Sequence, residues 1–261
     1  MIPKTIHYCW FGHGEKSVLI QKCIKSWKRI CPEYAIVEWN EDNFDIAQTP
    51  DYVQQAYEAK KWAFVSDYAR LKVVYENGGI YLDTDVELVR PLTPFLEHAA
   101  FFGTESPEIV STGLGFGAEK GAEILNRMMQ QYDGITFDPV NVLACPYIDT
   151  PVFEAMGWKK DGTKQLLDGN VLVLPPEYMC PKGLMTGIVN MTDNTYSIHH
   201  YTATWQTKEV KDRHDKQVRN NRRAIAREYI LHIPNRVLRA VLGKTNYEKC
   251  KRFLGKGEEA E

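Results

Sequence analysis

An apolar, β-prone run from Ile2 to Phe11 stops at Gly12. A segment of helical spacing follows from Ser17 to Ile30, with Val18, Leu19, Cys23, Ile24, Trp27 and Ile30 on one side. This switch between strand-like and helix-like patterns recurs along the chain, and it constrains the fold more than any other feature. Tyr34 to Trp39 reads as a second strand. Tyr52 to Lys60 and Phe64 to Glu76 read as helices, the second stopped by Asn77-Gly78-Gly79. Ile80 to Leu82 is a short strand, and Val86 to Val89 is an extended segment broken by Pro91 and Pro94. Ala99 to Gly103, Leu114 to Gly117, Val171 to Leu174 and Tyr196 to His200 read as further strands, with a helix from Ala122 to Tyr132. Irregular alternation of this kind predicts an α/β fold around a central sheet. The length of 261 residues allows one substantial domain plus an appendage.

Charge locates the appendage. The net charge is only -2, yet residues 208–256 carry 15 Lys/Arg against 5 Asp/Glu, a local balance of +10 that leaves -12 on the remainder. The basic segment divides into three helical patterns. The first holds Val218, Arg222, Ile225, Tyr229, Ile230 and Ile233; the second follows Pro234; the third opens on a capping-box pattern at Thr245 and Glu248. Such a tail is either the solvated face of a helical bundle or a docking element for anionic lipid. Nucleic acid would attract the same charge, but no recognition motif for it is present. No run of 18 apolar residues predicts a membrane span, and no charged leader or cleavage site precedes the first strand. The six cysteines, Cys9, Cys23, Cys31, Cys145, Cys180 and Cys250, are scattered, so the expectation is a cytoplasmic protein with reduced thiols.

The chemistry concentrates where Ile80-Tyr81-Leu82 runs into Asp83-Thr84-Asp85. On an extended chain, residues two apart point to one side, so both carboxylates would converge. Two such charges need a counter-charge, or one stays protonated. A hard divalent cation, Mn²⁺ or Mg²⁺, supplies it and can bridge to a diphosphate. A solvated turn would produce the same triplet. Upstream, Asp67 and Arg70 share one face of the predicted helix. Arg70 offers a planar fork for a phosphate or sugar oxygen, and Asp67 an acceptor for sugar hydroxyls; an intrahelical salt bridge is the simpler alternative.

Three separated stretches together resemble one family. They are Ile2-Pro3-Lys4-Thr5-Ile6-His7-Tyr8-Cys9-Trp10-Phe11-Gly12, the region Ala63 to Leu71 continuing through Gly78-Gly79 to Asp85, and Tyr196-Ser197-Ile198-His199-His200-Tyr201 through Trp205. The pattern resembles the sugar-binding DXD glycosyltransferases (glycosyltransferase family 32), which include bacterial capsular polysaccharide enzymes and yeast mannosyltransferases. The glucosylating domain of the large clostridial toxins is a more distant relative.

The resemblance implies a GT-A-like domain over residues 1–205 with a basic helical extension over 206–261. It implies a retaining, metal-dependent transfer of a hexose or hexosamine from a nucleotide-diphosphate sugar, UDP-linked in preference, to a glycan acceptor, as in capsule or other surface-glycan synthesis. A lipid-linked acceptor at the inner face of the membrane would suit the basic tail. Asp67, Arg70, Asp83 and Asp85 become the catalytic group, with Asp83, Asp85 and His199 as metal ligands. Trp10, at the end of the first strand, would stack on the base, with a core tryptophan as the alternative. Ser66, Asp67, Arg70, Asp83 and Thr84 fall on the donor side, and Trp205 would donate its indole N–H to a phosphate oxygen. His7 is grouped with these donor residues, but it alternates onto the face opposite Trp10, as a structural histidine would. His199 and His200 are adjacent, so only one can face the site. Thr112 and Asp149 are candidates for the sugar or acceptor side; Asp149-Thr150-Pro151 departs from the Thr-Gly-Pro of many relatives. A phosphohydrolase or nucleotidyltransferase, or a non-catalytic nucleotide-sugar-binding module, would use the same acidic pair.

Overall fold

The structure is a computed structural model that describes residues 1–139, 143–202, 207–231 and 235–253. Strand β1 (Thr5–Cys9) leads to helix α1 (Val18–Ile30), whose first turn is capped by the Ser17 side chain accepting from the Ile20 amide. Lys28 and Arg29 sit in its last turn, where they suit the helix dipole. The buried side of α1 carries Ile20, Cys23, Ser26 and Trp27. Strand β2 (Ala35–Trp39) and helix α2 (Asp51–Glu58) follow, then α3 (Trp62–Asn77), which is buried on most sides. Gly78 ends α3 at φ 70°, and Gly79 at φ 115° opens strand β3 (Gly79–Tyr81). A Cβ on Gly79 would lie 2.8 Å from both His7 Nε2 and Thr5 O, so this turn tolerates only glycine.

Strand β4 (Val86–Leu88) lies just past the acidic triplet. It is fastened to α1: Trp27 Nε1 donates to Val86 O at 2.7 Å, and Ser26 Oγ accepts from the Leu88 amide at 2.9 Å. The chain continues through β5 (Ala100–Ser106), β6 (Ile109–Val110), a short 3₁₀ turn over Thr112–Leu114, β7 (Phe116–Ala118) and α4 (Glu123–Gln130). Helix α5 (Cys145–Ala155), β8 (Gln165–Leu167), β9 (Val171–Leu174), the one-turn α6 (Pro176–Met179) and β10 (Ser197–His199) complete this part.

The main sheet runs β2-β1-β3-β7-β5-β9-β8, with β6 paired to β5. Pairs β1–β2, β1–β3 and β5–β9 are parallel and the others antiparallel, so β1, β2, β3, β5 and β9 share one direction. The fold is therefore α/β with a mostly parallel sheet. Burial on both faces explains the near-continuous apolar strands. Ile6, Ile80 and Phe101 pack in one core, whereas Cys9, Tyr81 and Phe102 pack in the other. A separate ribbon pairs β4 with β10 in antiparallel register, Val86 opposite His199.

Two expectations shift. The strand expected from Leu114 starts only at Phe116, because Thr112–Leu114 is wound into the 3₁₀ turn. Helix α5 was not expected at all: Pro151 lies inside it, on the exposed side, while Ile148, Asp149, Val152 and Phe153 hold it by burial. The six cysteines are free thiols.

Met1–Gly183 with Val189–Trp205 forms one compact unit, and Leu184–Ile188 with Gln206–Glu261 another. In the second, α7 (Lys208–Leu231) gathers the 184–188 segment: Arg222 donates to Thr186 O and Gly187 O, each at 2.6 Å, and Asn221 Nδ2 to Met185 O at 2.8 Å. Helix α8 (Asn235–Phe253) is broken at Gly243, φ 68°, which gives the basic segment three helical pieces. Among the described residues, no helix is long and apolar enough to cross a membrane.

Candidate active site

The site starts from α3. Its Arg70 is 3% exposed, and the guanidinium sits between two carboxylates, with Nη2 2.7 Å from Asp67 Oδ1 and 3.4 Å from Asp83 Oδ1. Arg70 Nε donates to Ser66 O at 3.0 Å, and the guanidinium lies 5.1 Å from the Tyr81 ring centroid. Tyr81 Oη in turn donates to Asp83 Oδ1 at 3.0 Å. Helix α3, the Gly78-Gly79 turn and β3 thus bring Asp67, Arg70 and Asp83 together.

The triplet itself is not extended. The Val86 amide closes a turn on Asp83 O at 3.0 Å, because β4 must leave the main sheet to pair with β10. The carboxylates converge nonetheless. Asp83, Asp85 and His199 each offer a ligand atom, and these atoms all lie within 4.8 Å of one another. His199 arrives on β10, with Nε2 3.1 Å from Asp85 Oδ1. His200 points elsewhere, to Glu87 Oε2 at 2.9 Å, so strand alternation selects His199 for the acidic side.

Burial and charge set the protonation states. Burial pushes Asp67 up to about 6, against the pull of Arg70. Burial also raises Asp83, with Arg70 opposing and Asp85 reinforcing the rise. Asp85 is buried too, but His199 beside it and two bonds from Thr202 outweigh that and hold it well below the usual carboxylate range. Burial lowers His199, while Asp85 and Asp83 raise it further than burial lowers it, so its pKa ends above the ordinary value. Two oxygens and one imidazole nitrogen around a single point are the donors that Mn²⁺ accepts readily, and Mg²⁺ less so. His199 Nδ1 is buried without a hydrogen-bond partner, so the ring has spare ligand capacity. The residues present therefore fit a divalent cation.

The 3₁₀ turn packs directly on this group. A Cβ on Gly113 would lie 2.8 Å from Asp83 Oδ2 and 3.2 Å from Arg70 Nη1, so only glycine lets the backbone approach this closely. Thr112 and Asp149, expected on the sugar or acceptor side, are both 0% exposed. Thr112 Oγ1 donates to Asp149 Oδ2 at 2.9 Å, and Asp149 Oδ1 has no partner. Burial pushes the Asp149 carboxyl up to about 7.

Other expected residues separate. His7 is 2% exposed and both ring nitrogens are engaged: Trp39 Nε1 donates to Nδ1 at 3.0 Å, which leaves Nε2 to donate to Gly78 O at 2.9 Å. Burial lowers its pKa, so it is neutral. In this position it pins β2 and the end of α3 to β1, as a structural histidine would. Trp10 leaves the sheet at the same edge as Asp83, since β1 and β3 are parallel neighbours. Its Nε1 donates to Gly14 O at 2.7 Å, and Lys16 Nζ lies 5.0 Å from its ring. Ser66 Oγ donates to Trp62 O at 3.0 Å, and Thr84 is half-buried in the turn. Trp205 lies outside the described residues.

Sequence reasoning missed four neighbours. Tyr81 looked like a core residue of a short strand. Cys145 Sγ lies 4.0 Å from Arg70 Nη1, on the helix that Pro151 concealed. Glu105 occupies the register slip between Thr104 and Ser106; burial raises it and His199 opposes. Thr202 binds Asp85 from 117 residues away. Only for Tyr81, two residues before Asp83, did spacing carry a signal.

Residues 17–102 match the family described as glycosyltransferase sugar-binding region containing DXD motif. Over 165 residues the chain is 30% identical to inositol phosphoceramide mannosyltransferase 3 of Schizosaccharomyces pombe, a stretch covering 60% of this chain and 45% of that protein. The chain thus spans less than half the length of that curated relative. Among solved structures, the PaToxG glycosyltransferase is 20% identical, with 59% of this chain and 69% of that one covered and a TM-score of 0.47. A glycosyltransferase involved in glycosylation of the major capsid of PBCV-1 is 14% identical, with 80% and 98% covered and a TM-score of 0.45.

Proposed function

We propose that this chain, which carries the DXD sugar-binding region, is a metal-dependent glycosyltransferase with a GT-A-like domain. It moves a hexose or hexosamine from a nucleotide-diphosphate sugar, UDP-linked in preference, to a glycan hydroxyl. The observation that carries this reading is the single constellation in which Arg70 joins Asp67 to Asp83 while Asp83 converges with Asp85 and His199. The similarity to a protein named as a mannosyltransferase supports hexose transfer.

Each residue then has a task its chemistry suits. Asp83, Asp85 and His199 would hold Mn²⁺ or Mg²⁺, which neutralises charge on the leaving diphosphate. Arg70 presents N–H donors to sugar or phosphate oxygens. Asp67 accepts from sugar hydroxyls and is fixed in place by Arg70. Trp10, at the edge of the sheet, stacks on the base. The protein acts mainly by positioning and by preorganised charge. Retention of configuration follows from front-side attack, with the acceptor proton passing to the leaving phosphate.

The basic tail docks the enzyme to anionic membrane at the inner face, where a lipid-linked glycan in capsule or surface-polysaccharide synthesis would be the acceptor. Tyr229, 75% exposed, and Val241, 78% exposed, are apolar residues set among its cations. Flotation with anionic vesicles at low salt checks this: the full chain should float, and loss of residues 206–261 should abolish flotation.

The enzymatic reading is tested by incubating the protein with Mn²⁺ and a panel of UDP- and GDP-sugars. Release of nucleoside diphosphate with sugar transferred is expected. Release of sugar 1-phosphate or nucleoside monophosphate would instead assign a phosphohydrolase or nucleotidyltransferase, and tight binding of UDP without turnover a binding module.

A further inference from the structure

Just past β10 the chain turns back over Asp85. The His200 amide donates to Asp85 O at 3.0 Å, which continues the β4–β10 ladder by one bond. Tyr201 then takes a left-handed backbone at φ 55°, a conformation that a bulky residue adopts only under constraint. Here its hydroxyl hydrogen-bonds with Cys180 Sγ at 2.7 Å, and its ring lies 4.3 Å from the His199 ring. Lys182 Nζ donates to His200 O at 2.6 Å from the other side. This bend aims the next residue at the carboxylate. Thr202 donates twice to Asp85 Oδ2, from its amide at 2.8 Å and from its hydroxyl at 2.9 Å. The other oxygen, Oδ1, faces His199.

We propose that Thr202 is a positioning residue for the divalent cation: its amide and hydroxyl occupy Asp85 Oδ2, so that Oδ1 alone is presented to the metal beside Asp83 and His199. The proposal rests on the reading of Asp85 as a metal ligand. A carboxylate free to rotate could chelate through both oxygens or turn away from the ion. One anchored through Oδ2 offers a single oxygen in a fixed direction, at no further ordering cost when the ion binds. Partners of this sort behind a ligand commonly change metal affinity by about 10–100-fold. Two donors here converge on one oxygen, and the hydroxyl can be removed without touching the amide.

The experiment is a titration of the full chain with Mn²⁺ alone, followed by electron paramagnetic resonance. Thr202→Val should weaken Mn²⁺ binding by about 10-fold or more, and Thr202→Ala should do the same. Thr202→Ser, which keeps the hydroxyl, should stay within about threefold of the parent. Asp85→Asn sets the floor, and the melting temperature of each variant is read in parallel. If Thr202→Val binds Mn²⁺ as the parent does, the proposal is overturned. It is overturned equally if Thr202→Ser, which keeps the hydroxyl, loses as much affinity as Thr202→Val, since the hydroxyl bond would then not account for the loss. If Thr202→Val does not fold, the contrast between Thr202→Ala and Thr202→Ser decides. A parent protein that binds no Mn²⁺ overturns the metal-site reading itself, which separates that failure from failure of the anchor.

Discussion

Asp83 and Asp85 are two residues apart, yet they belong to different halves of the site. Asp83 is held by α3 and β3, through Arg70 and Tyr81. Asp85 is held by the β4–β10 ribbon, through His199 and Thr202. Burial raises the first, while hydrogen bonds and His199 lower the second. Two carboxylates whose surroundings push them in opposite directions take different roles. On the proposed reading Asp85, held ionised, would be the stronger metal anchor, and Asp83 would divide its charge between the cation and Arg70.

Replacing Asp85 by Asn tests this division with the largest expected effect. Transfer should fall by at least about 100-fold, the loss typical when a group stabilising developing charge is removed. Mn²⁺ affinity should fall with it. Asp83→Asn should also abolish most transfer, but it should retain more Mn²⁺ affinity than Asp85→Asn. Equal loss of metal binding in the two variants would break the comparison.

Arg70→Ala attacks the other half. It leaves buried Asp67 and half-buried Asp83 without their cation, and removing one member of a buried pair such as Asp67–Arg70 costs about 3–5 kcal/mol. Denaturant unfolding should show this loss, and adding Asp67→Asn should recover part of it, because one uncompensated charge disappears. If Arg70→Ala is as stable as the parent, Asp67, Arg70 and Asp83 are not the paired, largely buried group described above.

A third effect depends on pH. The Asp149 carboxyl is pushed up to about 7 by burial, whereas in the unfolded chain it titrates near about 4. Between these values the folded state keeps a proton that the unfolded state has lost. Stability therefore falls as pH rises through this window, by up to roughly 1.4 kcal/mol per pH unit, and levels off above it. Asn at this position can still accept from Thr112 and cannot ionise. The stability of Asp149→Asn relative to the parent should thus climb from pH 4 to pH 7 and then stay constant. A difference that does not vary with pH would show that the carboxyl ionises as easily inside as outside.

The two halves also differ in how far the sequence exposed them. Asp67, Arg70 and Asp83 lie within one helix, one glycine turn and one strand; helical spacing put Asp67 and Arg70 on one face, and the resemblance joined them to Asp83. The alternating strands likewise carried the α/β class. Partners separated by more than a hundred residues leave no periodic trace: nothing in the residues near Thr202 marks it as a neighbour of Asp85. Only the family resemblance pointed to His199 over His200. Helix α5 was hidden because Pro151 reads as a break, and burial of Ile148, Val152 and Phe153 overrides that local preference. For His7, alternation gave the face but not the two partners that occupy its nitrogens.

Gly113→Ala carries the smallest effect and separates the halves most cleanly. The backbone there does not need a left-handed conformation, so the added methyl acts only through space. That space is filled by Asp83 Oδ2 and Arg70 Nη1: Arg70, 3% exposed and pinned by Asp67 and the Ser66 carbonyl, cannot withdraw, so Asp83 must give way. Overpacking of this kind costs about 1–3 kcal/mol, some of it relieved by displacing the turn. Displacement shifts the Asp83–Arg70 pair by a few tenths of an ångström, enough to lower kcat/KM for the donor sugar by about 10-fold. Asp85, His199 and Thr202 stand on the other half, so Mn²⁺ affinity should change by less than about threefold, within what a small shift of Asp83 alone would produce. Parallel measurement of kcat/KM and of Mn²⁺ binding decides it. Equal loss in both would mean that the two carboxylates move as one unit, and the distinction between their roles would have to be given up.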